Sequence, residues 1–332
     1  MSARTVLTYP VSDEQRQRLH AILDPAGGVG FLADAGEDPG ARAALLRPAE
    51  AIMGFRPSRE LTEEDALALE HVGLVQLLSA GVDHIDFGVL PPRAKVAGNV
   101  GAYADPMAEH VLAMVLALAK RLPQNHARLA AGRWDQAETL RLRGGTAGIL
   151  GYGGIGQASA ALLRAFGMRN YAINTSGRAP DADQAGTLAD LDGMLASVDV
   201  LVITIPLTTT TSGLIGAREL SLMKPAAILV NVARGAIIDS GALFEHLRAS
   251  PGFTAGIDTW WDEPRGGKPF EPKRPFLTLP NVLGSPHNSG NVAGTDVVSV
   301  EFAARNVARF LTGGPVHGLQ NRADYAANPH KP

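Results

Sequence analysis

A glycine-rich turn between a strand and a helix constrains the fold of this chain more than any other feature. The turn reads Gly151-Tyr152-Gly153-Gly154-Ile155-Gly156; it follows the apolar run Thr146–Leu150 and opens a helical stretch that reaches Phe166. In a GxGxxG turn the first glycine permits the tight bend, the second lets the backbone approach a pyrophosphate, and the third allows close helix–strand packing. Amide groups at the helix start then face the phosphates. The turn therefore predicts a dinucleotide-binding βαβ unit; the alternative is a glycine-rich turn without a ligand.

Short apolar runs alternate with helix-length periodic stretches, which is the pattern of βα units around a parallel sheet. Helices are predicted at Asp13–Leu23, Thr62–Leu69, Pro106–Leu122 and Ala293–Leu311. Strands are predicted at Thr5–Thr8, Ala51–Phe55, Leu74–Leu78 and Lys95–Ala97, and in a second, more apolar series at Thr146–Leu150, Asn170–Ile173, Val200–Ile205, Ala227–Val230 and Phe253–Ile257. The two long helices flank the second series, so we interpret them as crossovers between two domains, the second inserted into the first.

Length and composition exclude several classes of function. The 332 residues suit two domains, and 45% hydrophobic with 19% charged residues is an ordinary globular balance. A net charge of −3 and the lack of a basic stripe give no reason to expect nucleic acid as a partner. Because cysteine is absent, disulfides, thiolate metal sites and cysteine nucleophiles are excluded, and we expect no bound metal. The longest apolar run, Val111–Ala119, is too short for a membrane span, and the N-terminus lacks an apolar signal core, so we expect a cytoplasmic protein without a membrane partner.

The residues after the second strand of the inserted series predict which dinucleotide is preferred. An enzyme that uses NAD usually presents Asp or Glu there to the ribose 2′-hydroxyl. This chain instead has Asn174, Thr175, Ser176, Gly177 and Arg178. The missing carboxylate removes repulsion toward a 2′-phosphate, and hydroxyl groups and a guanidinium suit its binding. We therefore expect NADP to be preferred over NAD, although Arg178 taken alone could be an ordinary solvated loop residue.

Three polar motifs each lie at the carboxyl end of a strand, which is where open α/β sheets bind ligands. They contribute Arg234, Glu263 and His287. An arginine can bind a carboxylate through two parallel hydrogen bonds, and a histidine can donate a proton near neutral pH. A carboxylate beside that histidine orients the ring and favours its protonated form. Each residue alone could be structural, but their order and spacing predict hydride transfer between a nicotinamide cofactor and a small 2-keto or 2-hydroxy acid.

Seven motifs in this order make the chain resemble the D-isomer-specific 2-hydroxyacid dehydrogenases, such as glyoxylate/hydroxypyruvate reductases and phosphoglycerate dehydrogenases, along almost its full length. They are Ser79-Ala80-Gly81-Val82-Asp83-His84-Ile85-Asp86, Ala108-Glu109-His110, the glycine turn, Ile205-Pro206-Leu207-Thr208, Asn231-Val232-Ala233-Arg234-Gly235, Asp258 with Glu263-Pro264, and Pro286-His287. The chain departs from the family pattern at Asn174 and at Asn288-Ser289, where an apolar and a small residue are more usual. These departures bear on the phosphate preference and the local shape of the pocket, and the residues of the proposed chemistry match the family pattern.

The resemblance implies an α/β protein with two Rossmann-like, doubly wound parallel-sheet domains, the dinucleotide domain being inserted into the substrate domain. The expected bounds are residues 1–100 for the first part of the substrate domain, 101–289 for the dinucleotide-binding domain, and 290–332 for a C-terminal helix and tail that return to the substrate domain. The resemblance further implies a homodimer, with the helix at Pro106–Leu122 in the interface and the segment Leu122–Arg143, which includes Trp134, as an arm.

The resemblance also implies a role for each site residue. Arg234 would bind the substrate carboxylate, and His287 would be the acid/base that Glu263 orients. Backbone amides around Ser79, Ala80 and Gly81 would hold the carboxylate from the other domain, and Asp258 would orient the nicotinamide carboxamide. The expected cofactor contacts, from the residues and from the resemblance together, are Gly151, Gly153, Gly154, Ile155, Gly156, Asn174, Thr175, Ser176, Arg178, Pro206, Val232, Ala233, Asp258, His287, Ser289 and Gly290.

Other functions on the same fold stay open at this point. One is oxidation of phosphite or formate, although formate enzymes characteristically have a glutamine in place of Glu263. Another is a corepressor-like protein that binds peptides under control of NAD(H). The substrate side chain is not determined by the sequence; Phe55, Arg56, Tyr103, Trp260 and Trp261 are candidates for the pocket wall, and each could equally be a packing residue.

Overall fold

The computed structural model describes residues 3–264 and 266–325. Its strands are β1 (Thr5–Leu7), β2 (Val29–Phe31), β3 (Ala51–Gly54), β4 (Leu74–Leu77), β5 (Lys95–Ala97), β6 (Thr146–Leu150), β7 (Arg169–Ile173), β8 (Gln184–Gly186), β9 (Val200–Ile203), β10 (Ile228–Asn231), β11 (Thr254–Ile257), β12 (Val282–Gly284) and β13 (Leu319–Gln320). Its α-helices are α1 (Asp13–Leu23), α2 (Pro39–Leu46), α3 (Pro57–Glu60), α4 (Glu63–Leu67), α5 (Ala104–Ala119), α6 (Leu122–Ala130), α7 (Gly154–Ala165), α8 (Leu191–Ser197), α9 (Ala217–Leu222), α10 (Ser240–Ala249) and α11 (Thr295–Leu311).

These elements form two compact units, one from Met1–Tyr103 with Ala293–Pro332 and the other from Ala104–Val292. The second unit is therefore an insertion in the sequence of the first. Within the described residues, none of the helices combines the length and the apolar character that crossing a bilayer requires.

The first unit is built on a six-stranded sheet in the order β2-β1-β3-β4-β5-β13. Strands β1 to β5 are parallel, and the short β13 pairs antiparallel with β5. Helices α1 and α11 cover one face, where Leu7, Leu19 and Val307 share a buried cluster, while Leu46 and Val75 belong to a second cluster on the other face. Because both faces are covered, the parallel strands are mainly apolar rather than alternating, with Thr5 in β1 and Gln76 in β4 as buried polar exceptions.

The second unit has a seven-stranded, wholly parallel sheet in the order β8-β7-β6-β9-β10-β11-β12. The strand order reverses at β6, because β7 lies on one side of it and β9 on the other. In such sheets the ligand crevice lies beyond the carboxyl end of the strand where the order reverses. The fold therefore places the glycine turn, which follows β6, at the expected crevice.

Helix α5 packs closely on this sheet, since a Cβ on Gly256 would lie 3.1 Å from the Met114 sulfur.

The predicted fold class is confirmed: the structure is α/β with two doubly wound sheets. Strands β5 and β6 and helix α1 have the predicted bounds, and most others differ by one or two residues. The predicted helix Pro106–Leu122 was wrong at its end, because the chain leaves α5 at Ala119 and Arg121 has a φ of +50° before α6 begins. The short edge strands β2, β8, β12 and β13 were not predicted, since two or three residues carry too little periodicity.

Candidate active site

The glycine turn between β6 and α7 leaves room for a phosphate group. Gly151 has a φ of +102°, and a Cβ there would lie 2.7 Å from the Ile205 amide nitrogen. A Cβ on Gly156 would lie 2.0 Å from the Gly151 carbonyl oxygen, whereas a Cβ on Gly153 would meet open space. Gly153 precedes α7 without a side-chain cap, so the first-turn amides, beginning at Gly154 and Ile155, are available to an anion. The turn fits the pyrophosphate of a dinucleotide.

The loop that follows β7 lies beside the glycine turn, because the Gly151 amide donates to the Ile173 carbonyl at 2.8 Å. The Asn174 side chain shapes this loop: its Oδ1 accepts from the Ser176 amide at 3.0 Å and hydroxyl at 2.9 Å, and its Nδ2 donates to the Arg178 carbonyl at 2.8 Å. Thr175 and Arg178 are exposed. The loop therefore presents neutral and cationic groups, and no carboxylate, where the sequence predicts the ribose.

Arg234 lies in a turn directly after β10, and the buried Asn231 braces that turn. The Asn231 side chain accepts from the Ala233 amide at 3.0 Å and donates to the Arg234 carbonyl at 2.9 Å. The Arg234 guanidinium donates to the Ala233 carbonyl at 2.7 Å, and Val232 is buried beneath the turn. Sequence reasoning assigned Asn231 no role, although a polar side chain at the end of an apolar strand is a detectable signal.

Glu263 and His287 form a hydrogen-bonded pair from the loops that follow β11 and β12. His287 Nδ1 lies 2.9 Å from Glu263 Oε1 and 3.0 Å from Oε2, and both side chains are 40% exposed. Glu263 Oε1 also accepts from the Trp260 amide at 3.0 Å. Burial raises the pKa of Glu263, but the hydrogen bonds from His287 and Trp260 and the positive charge of Arg234 together hold it below its ordinary value. Glu263 is therefore an ionised partner for the imidazole at neutral pH.

Asp258 is fully buried and organises the loop that carries His287. Its carbonyl accepts from the His287 amide at 2.8 Å, and its carboxylate accepts from the Asn288 amide at 3.1 Å and the Ser289 amide at 3.3 Å. Burial raises the pKa of Asp258, but hydrogen bonds from Ser285, Ser289 and Asn288 and the charge of His110 lower it below the ordinary value. The Ser285 hydroxyl and the Asn288 amide donate to Oδ1, and the Ser289 amide donates to Oδ2. Oδ2 can therefore accept a further hydrogen bond, such as one from a carboxamide.

Other predicted site residues lie in turns and loops that follow strands. Ser79 follows β4 and folds back, its hydroxyl donating to the Gly81 carbonyl at 2.8 Å, so that Ala80 sits within a tight turn. Pro206 lies after β9 and its carbonyl accepts from the Thr211 hydroxyl at 2.6 Å. Gly290 follows the His287 loop and is half-buried.

The tryptophans suspected of lining the substrate pocket make packing contacts. The Trp260 indole donates to the Ser285 carbonyl at 2.8 Å and is buried, while the Trp261 indole donates to the Ile238 carbonyl at 2.7 Å and stacks on Phe276 at 5.1 Å. Both indoles are therefore engaged in packing and hydrogen bonding, which was the alternative given for them, and a role in the pocket wall stays a prediction. Phe55 is exposed, and the Tyr103 hydroxyl donates to the Leu78 carbonyl at 2.6 Å.

Arg234, Glu263 and His287 thus follow three adjacent parallel strands, β10, β11 and β12, at one edge of the sheet that carries the glycine turn. The NAD binding domain of the D-isomer specific 2-hydroxyacid dehydrogenases matches residues 112–289, which is more than half of the chain. The chain belongs to the D-isomer specific 2-hydroxyacid dehydrogenase family of NAD(P)-dependent enzymes. The predicted family and enzyme class are confirmed.

Individual relatives support this placement. The chain is 32% identical over 276 residues to D-3-phosphoglycerate dehydrogenase of Archaeoglobus fulgidus, a match that spans 82% of this chain and only about half, 51%, of that protein. It is 34% identical to glyoxylate reductase of Aeropyrum pernix over 75% of this chain and 76% of that protein. The crystal structure of a D-isomer specific 2-hydroxyacid dehydrogenase from Xanthobacter autotrophicus Py2 in complex with NADPH and MES has a TM-score of 0.76 at 26% identity, covering 97% of this chain and 98% of that chain.

Proposed function

We propose that this protein reduces a small 2-keto acid to the D-2-hydroxy acid with NADPH, or catalyses the reverse oxidation. The observation that carries the proposal is the Glu263–His287 pair. Its 2.9 Å hydrogen bond joins the loops after β11 and β12, and Arg234 follows the adjacent β10. A bound dihydronicotinamide supplies a hydride to the carbonyl carbon, and the carbonyl oxygen then needs a proton. The pair is suited to deliver that proton.

His287 is the group that moves the proton. With Nδ1 engaged by the ionised Glu263, Nε2 is the ring atom left to face the substrate oxygen. In reduction the protonated imidazole gives its Nε2 proton to the developing alkoxide; in oxidation the neutral ring takes the hydroxyl proton. Glu263 stabilises the protonated ring in both directions.

Arg234 is the group that binds the acid. A guanidinium can hold a carboxylate through two parallel hydrogen bonds, which fixes the carbonyl carbon next to it and polarises the carbonyl. The turn braced by Asn231 holds the arginine backbone at the strand end, so the side chain starts from a defined position. Backbone amides around Ser79, Ala80 and Gly81 are proposed as the second contact to the carboxylate.

The cofactor proposal rests on the two loops already described. Gly151, Gly153 and Gly156 leave room for the pyrophosphate, and the loop 174–178 would take the ribose 2′-phosphate. The remaining proposed contacts are Gly154, Ile155, Thr175, Ser176, Arg178, Pro206, Val232, Ala233, Asp258, Ser289 and Gly290. NADP is proposed as the preferred dinucleotide because the loop lacks a carboxylate that would repel the phosphate.

The test is a steady-state assay of the whole chain with glyoxylate, hydroxypyruvate and larger 2-keto acids, each with NADPH and NADH. We expect turnover of at least one keto acid, and a higher kcat/KM with NADPH. Phosphite and formate are assayed with NADP+ and NAD+ in parallel. Turnover of phosphite or formate alone would contradict the proposed substrate class, and binding of cofactor without turnover of any substrate would favour a cofactor-gated binding protein instead.

We also propose a homodimer, with the segment 122–143 in or near the interface. The segment exposes four large apolar side chains, which are Leu122, Leu129, Trp134 and Leu140. Exposed apolar residues grouped in one segment are typical of an interaction surface.

A further inference from the structure

A chain of hydrogen bonds leads from helix α5 to the loop that carries His287. His110, on α5, has its Nε2 3.0 Å from the Ser285 hydroxyl, and that hydroxyl donates to Asp258 Oδ1 at 2.5 Å. Asp258 in turn accepts the amides of Asn288 and Ser289. The family resemblance gives neither His110 nor Ser285 a function, and the proposed mechanism has not used either residue.

The chemistry of these groups determines which atom is the donor in each of these hydrogen bonds. Two backbone amides, which can only donate, point at the two oxygens of the Asp258 carboxyl, so that group is an ionised acceptor. Ser285 must then give its single hydroxyl proton to Asp258. Since the hydroxyl proton is used, the Ser285 oxygen can only accept from His110, and Nε2 of His110 must carry a proton.

The loop at the end of this chain is strained at its functional residue. His287 has a φ of +51°, in the left-handed region that residues other than glycine rarely adopt; among the described residues only Arg121 shares this property with it. Such a conformation persists only when the surrounding structure imposes it. The bonds that hold this loop run from residues 287, 288 and 289 to Asp258. The Ser285 hydroxyl donates to the same carboxylate and lies within hydrogen-bond distance of His110.

We propose that His110 is a positioning residue for the reaction: its Nε2–H, acting through Ser285 and Asp258, holds the His287 loop in its strained conformation. The proposal rests on the proposed function, because it matters to catalysis only if His287 transfers the proton. His110 would not exchange a proton with the substrate. A displacement of about 1 Å in a catalytic group costs on the order of a hundredfold in rate, so removal of the donor is expected to be visible in kcat.

The matching substitutions distinguish a hydrogen-bond donor from a space-filling side chain. His110→Gln keeps an N–H donor at nearly the same distance from the backbone, whereas His110→Leu keeps bulk and removes the donor. Ser285→Ala breaks the chain at its middle link without touching His110. His71→Leu is the control for the histidine-to-leucine change, because His71 lies on the surface of the other unit. Thermal melting and the dissociation constant for NADPH, measured by fluorescence, show whether each variant is folded and binds cofactor.

The decisive experiment is a double-mutant cycle with His287→Ala, read as kcat for keto-acid reduction. We expect His110→Leu to lower kcat by about ten- to a hundredfold in the wild-type background and by less than about threefold in the His287→Ala background. His110→Gln should stay within about threefold of the wild type, and Ser285→Ala should reproduce the loss and add little to His110→Leu. Equal losses from His110→Leu in both backgrounds, or a glutamine variant as impaired as the leucine variant, would overturn the inference while the proposed function stands. If His287→Ala itself keeps the wild-type kcat, the proposed function fails and the inference fails with it.

Discussion

At the scale of single residues, buried polar side chains decide where the reactive ones lie. Asn231 ends β10 and Asp258 directly follows the adjacent β11, and both are fully buried. Asn231 accepts the Ala233 amide from the turn after β10, whereas Asp258 accepts the Asn288 and Ser289 amides from the loop after β12. The sequence suggests Arg234 because its residue type suits the chemistry and it follows a predicted apolar strand, and it suggests His287 because of its residue type and its family motif, since β12 before it was not predicted. The position of Asn231 at the end of an apolar strand is a signal in the sequence, but the hydrogen-bond partners of Asn231 and Asp258 could not be predicted, because they depend on which loops meet beyond the strand ends.

The first prediction concerns Arg234→Lys. A charge-assisted bidentate contact is worth on the order of 3 kcal/mol when desolvated, and an ammonium cannot reproduce the fork. We expect kcat/KM for the keto acid to fall at least about a hundredfold. Steady-state kinetics measures this, with Arg248→Lys on the surface helix α10 as the control that should leave the rate unchanged. Wild-type kinetics in Arg234→Lys would mean that the carboxylate is held by other groups.

The second prediction concerns Asn174→Asp. A carboxylate at this position would repel a 2′-phosphate and accept hydrogen bonds from a free ribose hydroxyl. We expect the ratio of kcat/KM with NADPH to kcat/KM with NADH to fall by about tenfold or more, since each charge-assisted bond is worth about 1.5–3 kcal/mol. The same change should leave the KM for the keto acid nearly unaltered. A wild-type protein that already uses NADH at least as well as NADPH would refute the predicted preference.

At the scale of elements, the central strands could be predicted and the edges could not. Strands such as β6 and β9 are apolar over four or five residues and are followed by turn signals. The edge strand β12 is a three-residue pairing next to β11, defined by its partner rather than by its own periodicity. The break between α5 and α6 at Arg121 has no glycine or proline at the residue itself to announce it.

The third prediction concerns a buried ion pair that joins two helices of the first unit. Arg42 on α2 donates to Asp65 on α4 at 2.5 Å, and Asp65 is only 2% exposed. Arg42→Ala would leave that carboxylate buried without its cation, although the Thr62 amide would still donate to it, and breaking such a pair costs about 3–5 kcal/mol. We expect urea unfolding monitored by circular dichroism to show this loss.

The control for this pair is Arg16→Ala, which removes a partly exposed ion pair with Asp34 and a contact with the Phe31 ring, and it should cost less than about 2 kcal/mol. The pH dependence has a defined sign. Burial raises the pKa of Asp65, but the bonds from Arg42 and Thr62 hold it below its ordinary value. The ionised Asp65 therefore stabilises the fold at pH values above the ordinary Asp pKa, and this stabilisation is lost as the pH falls through the lowered pKa of Asp65. Equal losses for Arg42→Ala and Arg16→Ala would contradict the buried pair.

At the scale of the whole molecule, the fourth prediction concerns assembly. Trp134 is 79% exposed in the isolated chain, together with three leucines of the same segment. We expect sedimentation velocity to give twice the chain mass of 34.8 kDa, and Trp134→Glu to shift the protein toward the monomer. Leu67→Glu is the matched control, because Leu67 is 83% exposed and lies in the other unit. A wild-type protein that sediments as a monomer at every concentration would exclude the dimer.

The proposed reaction is the reduction of a keto acid with a proton that His287 delivers and whose donor form Glu263 stabilises. The carboxylate of Glu263 is ionised across the neutral range, because its pKa lies below the ordinary value. Its negative charge therefore favours the protonated His287 throughout the assay range, and reduction requires that form. Glu263→Gln removes the charge and keeps the shape.

The most direct measurement is the pH profile of kcat/KM for keto-acid reduction in the wild type and in Glu263→Gln, after a deuterated cofactor has established that hydride transfer limits the rate. We expect the alkaline limb of the reduction profile to move to lower pH in Glu263→Gln, and oxidation of the hydroxy acid to become active at correspondingly lower pH. Profiles of the two proteins that overlay would contradict the account and leave Glu263 as a structural residue that caps the Trp260 turn.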